Sequence, residues 1–503
     1  MLLPKEPPVT KTMLSASHLL WLCSAALLIN APTVAAQVAL PFLTGDFRPA
    51  LVNDAHTPDA EGTWRFNGYG GLFEVGHWKD DVNVYNYAGD LCWRDPVASG
   101  TEANNLIAYV AHSRRNSATA FANTPDGTQF NVEPLPTLPP RCLLAANRTS
   151  PLYLFDAITS SFVDFYPYSG RRKVDWAARR ARLRPRAAAA RSDGELKSIL
   201  VEFMKGLEDP HAGINGMVDG EPFEIGSTPG KATFRKLRAN FSQQTQYADF
   251  FEWFATWRAM DDAKVFAKLD PATRSRALNG AVMWGVLNDN VGYLSIGQMM
   301  AFEAGASIAR ERELIGQAMD RALGDLQDTH ALVVDIASNL GGYAQVAGDI
   351  AGRFADRRRL AYTTHAPGAH EVAPQPFYAI PAGQRRYRKP VLLLTSDVTV
   401  SAGEKLTLLM RVLPNVVQVG QATQGALAGG LGKGLPNGWE LGMPNEVTRD
   451  ADGHLHEVTG IAPHLEFAVY RLDRLNEGRM QAVLRAARLA GADSSDSDSS
   501  PAW

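Results

Sequence analysis

Ser401 lies in Thr399-Val400-Ser401-Ala402-Gly403-Glu404, directly after the apolar run VLLLTS and at the start of an amphipathic stretch. A helix N-terminus offers free backbone N–H groups and a positive dipole end. A serine at that point can attack a carbonyl and leave the resulting oxyanion stabilised. The same residues also describe an ordinary helix cap, with Glu404 completing a capping box. Asn339-Leu340-Gly341-Gly342 follows a second apolar run, LVVDIAS, and adjacent glycines there let the backbone approach a ligand and offer an N–H. His211, in Glu208-Asp209-Pro210-His211, sits just past a helix that Pro210 should end, where a side chain can project into a cleft.

These residues need elements to hold them. Leu196, Ile199, Leu200, Phe203 and Leu207 recur at helical spacing before His211. From Tyr153 to about Asn288 the pattern is mainly helical, with an aromatic helix over YADFFEWFATWRAMDDAKVFAKL and a basic run at 171–191 that reads as a solvated helical face. From Val291 onward, apolar strand runs (VGYLSI, ALVVDIAS, VLLLTS, VVQVG) alternate with helical stretches, from Phe302 to about Leu326, over AQVAGDIAGRFA and after Ser401. That order predicts parallel strands with crossover helices, an α/β fold. TRDADGHLHEV predicts a hairpin turning at Ala451-Asp452-Gly453. Residues 37–147 are rich in Gly, Asn, Tyr and Trp with short strand-and-turn patterns, and predict a small β domain.

The chain has 503 residues, 45% hydrophobic and 20% charged, with Lys plus Arg 50, Asp plus Glu 53 and net charge -3. This excludes a mostly disordered chain and a multi-span membrane protein, and nothing global attracts it to nucleic acid. Residues 1–36 carry the three parts of a signal peptide: Lys5 and Lys11, the apolar run Leu19 to Ile29, and small residues before Gln37. An exported chain follows, periplasmic or extracellular, with no stable membrane insertion after cleavage. Cys23 would leave with the leader, so Cys92 and Cys142 are expected to form one disulfide. Two cysteines and scattered histidines form no recognisable metal cluster, and no cofactor is expected. Asn147-Arg148-Thr149 fits the N-glycosylation pattern, and the polar end, 486–503, should be disordered.

Taken in order, EDPHAGI, VGYLSIGQM, LVVDIASNLGG, TSDVTVSAGEKL, VGQATQGALAGG and the segment from Leu435 to His464 resemble the C-terminal processing (tail-specific) serine peptidase family, including its tricorn-like branch. The resemblance spans about half the chain and hardly touches the N-terminal β domain. It implies a crotonase-like α/β catalytic domain at 289–485, a helical cap segment at 148–288 that supplies a histidine, and a peptide or protein substrate. Ser401 matches the nucleophile. Gly341 or Gly342, with the N–H of Ala402, matches the oxyanion hole. The lysine base of the common members falls on Ala426, which cannot take a proton; Lys433, seven residues on, would need an altered loop. The tricorn-like branch uses histidine instead, and His211 occupies that place, with Glu457 at the supporting carboxylate.

Two departures stand out. No PDZ-like pattern lies between His211 and Val291, so tail specificity is not implied. His464 replaces the family's usual aspartate. A rival reading keeps the fold but makes the chain a catalytically inactive binder of a peptide or small ligand. An α/β-hydrolase esterase fits poorly, because the nucleophile elbow needs glycine where Thr399 stands.

Overall fold

A computed structural model describes residues 46–492, except 114–117, 145–147, 228–229, 245, 248 and 369–371. The leader, Cys23, Asn147 and residues 493–503 lie outside the described residues; 486–492, expected to be disordered, instead close the helix Leu475–Ala492, with Ala486 and Ala487 buried. The site rests on a seven-stranded sheet. Its central strands are Val291–Ile296 (β1), Ala331–Asp335 (β2), Val391–Thr395 (β3) and Val416–Gly420 (β4). These four pair in parallel, β1 to β2 to β3 to β4, with Leu465–Glu466 added parallel at one edge. Two antiparallel strands, Ser275–Ala277 and Val282–Val286, close the other edge.

The four central strands are almost wholly apolar because helices cover both faces. Leu294, Leu332, Val334 and Leu393 face one helical layer, and Tyr293, Val333, Leu392 and Leu394 face the other. This is the alternation that the pleat requires. Ala344–Gly352 (α1) follows β2, and Ala402–Arg411 (α2) follows β3.

The helical reading of 153–288 holds for Pro151–Phe165, Trp176–Ala189 and Asp193–Met204 but misses strands. Gly213–Val218 and Glu221–Gly226 form a hairpin, turning at Asp219-Gly220, both at positive φ. Gly213–Val218 then pairs with Glu440–Pro444, so this segment shares a sheet with the catalytic segment. The basic run is not free for an acidic partner. Arg180 and Arg184 pair with Asp156, and Arg182 and Arg186 pair with Glu202.

The expected turn at 451–453 forms, with the Gly453 N–H reaching Asp450 O and the Asp450 N–H reaching His454 O, both at 3.0 Å, but no second hairpin strand follows it. Val447–Asp450 pairs instead with Arg359–His365, and the Asp450 carboxylate accepts the N–H groups of Asp452 and His454. In the N-terminal region eight strands form one antiparallel sheet. Cys92 on its last strand is disulfide-bonded to Cys142. No helix among the described residues is long and apolar enough to cross a membrane.

Candidate active site

Ser401 has φ 60° and ψ −124°. An L-residue adopts that conformation only where surrounding bonds over-determine it. Those bonds are present. Ser396 Oγ donates to Ala337 O, and Thr399 Oγ1 donates to Ile336 O at 2.9 Å. The N–H of Val400 reaches Asn339 O, and the N–H of Ser401 reaches Ala426 O at 3.1 Å. The turn between β3 and α2 is thereby tied to the turn after β2.

The capping-box alternative fails in this geometry. Ser401 makes no side-chain cap bond. The Glu404 carboxylate is directed elsewhere, accepting from Thr423 Oγ1 at 2.5 Å and from the N–H groups of Gly425 and Ala426 at 2.8 Å each. Burial pushes Glu404 up to about 7, against the pull of those three hydrogen bonds. Its role is to fix the 423–426 loop under Ser401. Ala426, the lysine position of the common family members, is fully buried and bonded through both its N–H and its carbonyl.

Of the two oxyanion glycines, the structure separates one from the other. The Gly341 N–H donates to Asn339 Oδ1 at 2.7 Å and is therefore engaged. Asn339 Nδ2 in turn donates to Ile296 O at 2.9 Å, which anchors the loop to β1. Among the described residues the N–H groups of Gly342 and Ala402 have no partner. Gly341 packs on Ser401: a Cβ there would lie 2.7 Å from Ser401 Cβ and 3.1 Å from Ala402 N. A Cβ on Gly342, at φ +134°, would lie 2.4 Å from the Met299 carbonyl carbon. Gly342→Ala should therefore displace its N–H and lower kcat by roughly 10²–10³-fold, the loss expected for one oxyanion donor; steady-state rates on a peptide substrate check this.

His211 follows the helix that ends at Met204 and opens the strand Gly213–Val218. Its N–H donates to Asp209 Oδ1 at 3.1 Å. Its Nδ1 is buried and has no hydrogen-bond partner. Burial lowers its pKa below the ordinary histidine value; Asp209 opposes this, and the cations Lys405 and Arg172 reinforce it. The ring is thus held neutral, the form a general base needs.

Glu457 does not bond to His211 here. Its carboxylate accepts the Leu427 N–H at 2.9 Å and pairs with Arg172 at 3.2 Å. Arg172 also lies 3.0 Å from Asp209 and donates to the Glu208 carbonyl. Asp209 Oδ2 accepts Tyr166 OH at 2.7 Å. Burial raises Glu457, the neighbouring carboxylates Asp209 and Glu404 raise it further, and Arg172 opposes them. Arg172 and Asp209 were not recognised from the sequence. Asp209 lies two residues before His211 and could have been flagged. Arg172 sits in a basic run with no local mark of its role; only the tertiary fold brings it to Glu457.

Two further positions become clear. His464 Nδ1 accepts the Gln418 N–H at 3.0 Å, and its own N–H returns to Gln418 O at 2.9 Å, so it extends β4 at the sheet edge. Lys433 turns away from Ser401. Its Nζ donates to the carbonyls of Gly70 at 2.7 Å and Tyr69 at 3.1 Å in the N-terminal region. Burial lowers it to about 7. Lys433→Met should therefore leave serine-directed labelling of the folded protein intact, which a fluorophosphonate probe would show.

Residues 290–467 match the model of peptidase family S41. Among solved structures, a candidate peptidase from Parabacteroides merdae shares 22% identity over 70% of this chain and 99% of its own, with TM-score 0.54. That likeness shows a shared fold. Mature CPAF complexed with lactacystin (10% identity, 69% and 98% coverage, TM-score 0.47) and the tricorn protease (13%, 84% and 45%, TM-score 0.37) are more distant.

Proposed function

From the premise that residues 290–467 belong to peptidase family S41, and that the chain is a serine-type peptidase, we propose that it hydrolyses peptide bonds through an acyl-enzyme on Ser401. The observation that carries this is the Ser401 turn. A strained serine that makes no cap bond stands beside two N–H groups without partners among the described residues, those of Gly342 and Ala402. Ser401 Oγ attacks the peptide carbonyl and His211 takes its proton. The Gly342 and Ala402 N–H groups hold the oxyanion. His211 returns the proton to the leaving amine, and water then releases the acyl group.

Glu457 is the carboxylate of the set. His211 Nδ1, without a partner, is the atom such a carboxylate would bind, and the reading requires the two to meet in the substrate complex, since catalytic hydrogen bonds are often long or absent in unliganded sites. The catalytic sheet is read as crotonase-like, with the 148–288 segment as a cap over it that contributes His211, followed by 289–485, and with 37–147 as an N-terminal β domain. The apolar run at 19–29 and the disulfide in the N-terminal region support export.

The binding-only reading is disfavoured by the strained Ser401 backbone, since a serine held at positive φ next to N–H groups without partners among the described residues serves no purpose in a passive cleft. The test is a pH profile of kcat/KM on a peptide substrate. Because the His211 pKa is lowered, the base form persists to more acid pH, so the acid limb should fall below pH ~6.5, the ordinary histidine value. His211→Ala should abolish that limb together with most of the rate. An acid limb unchanged in His211→Ala would remove His211 from the mechanism.

A further inference from the structure

Lys405 lies in the first turn of α2, four residues beyond Ser401, and is close enough to the site for its charge to act on His211. It is 8% exposed, and among the described residues no carboxylate pairs with it and no hydrogen bond engages its Nζ. Its ammonium lies 5.9 Å from the centre of the Tyr362 ring. Lys405 lines two cavities. One, of about 260 Å³, also includes Phe130, Gly430 and Glu446. The other, of about 680 Å³, includes Arg312, Arg358 and Asp126.

The charges in these walls decide what could enter. Glu446 accepts bonds from Tyr69 and Thr364 and makes no ion pair with Lys405. Arg312 lies between Asp126 at 2.9 Å and Asp349 at 2.7 Å, a trio with one net negative charge. Arg358 stacks on Tyr378 at 3.3 Å and, among the described residues, has no carboxylate. The wall of the larger cavity then carries Lys405 and Arg358, two cations without a carboxylate partner among the described residues, against that trio's single net negative charge. An ammonium that faces a cavity without a counter-charge is available to pair with a ligand's anionic group.

We propose that Lys405 is a specificity-determining residue that receives a carboxylate of the peptide substrate, beside the catalytic serine. This rests on the peptidase reading above and names the substrate chemistry it favours. One helical turn is about 5.4 Å and an extended peptide advances about 3.3 Å per residue, so the selected carboxylate lies within about three residues of the scissile bond. It comes from an Asp or Glu side chain or from a free C-terminus.

The test is digestion of a peptide library read by mass spectrometry, in which Glu and Asp alternate with Gln and Asn at each position and each peptide carries a free or amidated C-terminus. Wild type, Lys405→Met and Lys405→Glu are compared, and all three are labelled with a fluorophosphonate. Wild type should cleave carboxylate-bearing peptides roughly 10–100-fold better than their amides, the ratio a charge-assisted hydrogen bond gives. Side-chain and C-terminal sources separate by which amide abolishes the preference. In Lys405→Met the ratio should fall to about one, and in Lys405→Glu it should invert, the amides being cleaved better than the carboxylates. A wild-type ratio near one, or a ratio unchanged in Lys405→Met, overturns the inference while labelling and cleavage leave the peptidase reading standing. Absence of labelling in folded wild type removes both.

Discussion

Ser401→Ala should fold with unchanged stability and lose roughly 10⁴–10⁶-fold in turnover. Both halves follow from the same geometry. A capping serine replaced by alanine costs about 1 kcal/mol. Ser401 makes no cap bond, so that loss is not expected. Alanine also inherits the positive φ, so the strain is the same in both chains. Ser401→Gly separates the two contributions further. Glycine tolerates this backbone without penalty, so it should gain of the order of 1 kcal/mol in stability while remaining inactive. Thermal unfolding and peptide turnover on the three chains check this. A stabilised but inactive Ser401→Gly is the signature of a residue strained for chemistry.

Arg172→Met should be the most destabilising single change near the site, by about 3–5 kcal/mol. Arg172 is the cation between two fully buried carboxylates, Asp209 and Glu457. Removing it leaves both without a counter-charge, and Glu404 adds to the repulsion at Glu457. Methionine keeps most of the alkyl volume, so the loss reads charge rather than packing. Glu457→Gln in the same chain should restore part of the stability, because one of the two stranded charges is gone. Denaturant unfolding of the single and double variants measures this. Additive losses would mean that Arg172 and Glu457 act independently.

Much of the fold was legible because the catalytic sheet is buried on both faces. Its strands read as near-continuous apolar runs, and the helices between them keep their 3.6-residue period. The short hairpin at 213–226 was missed because six-residue strands flanked by glycine carry little periodic signal beside strong helices. At 451–453 the expected turn forms but no returning strand does, because the Asp450 carboxylate also holds the downstream N–H groups and Val447–Asp450 has its partner in Arg359–His365. At the site, Ser401 and the Gly341-Gly342 turn were visible because each follows a buried strand. Which glycine offers its N–H was not visible, since it depends on where the Asn339 side chain points. The Arg172 link between Asp209 and Glu457 joins residues 37 and 285 positions apart, read from their numbers, and no local pattern encodes it.

The central claim is that Ser401 is an activated nucleophile. The most direct measurement is labelling of the folded chain with a fluorophosphonate, followed by intact mass and peptide mapping, in wild type, Ser401→Ala and His211→Ala. The account predicts one adduct in wild type, on the peptide containing Ser401, none in Ser401→Ala, and strongly slowed labelling in His211→Ala. An adduct on another serine, or none in folded wild type, would contradict it.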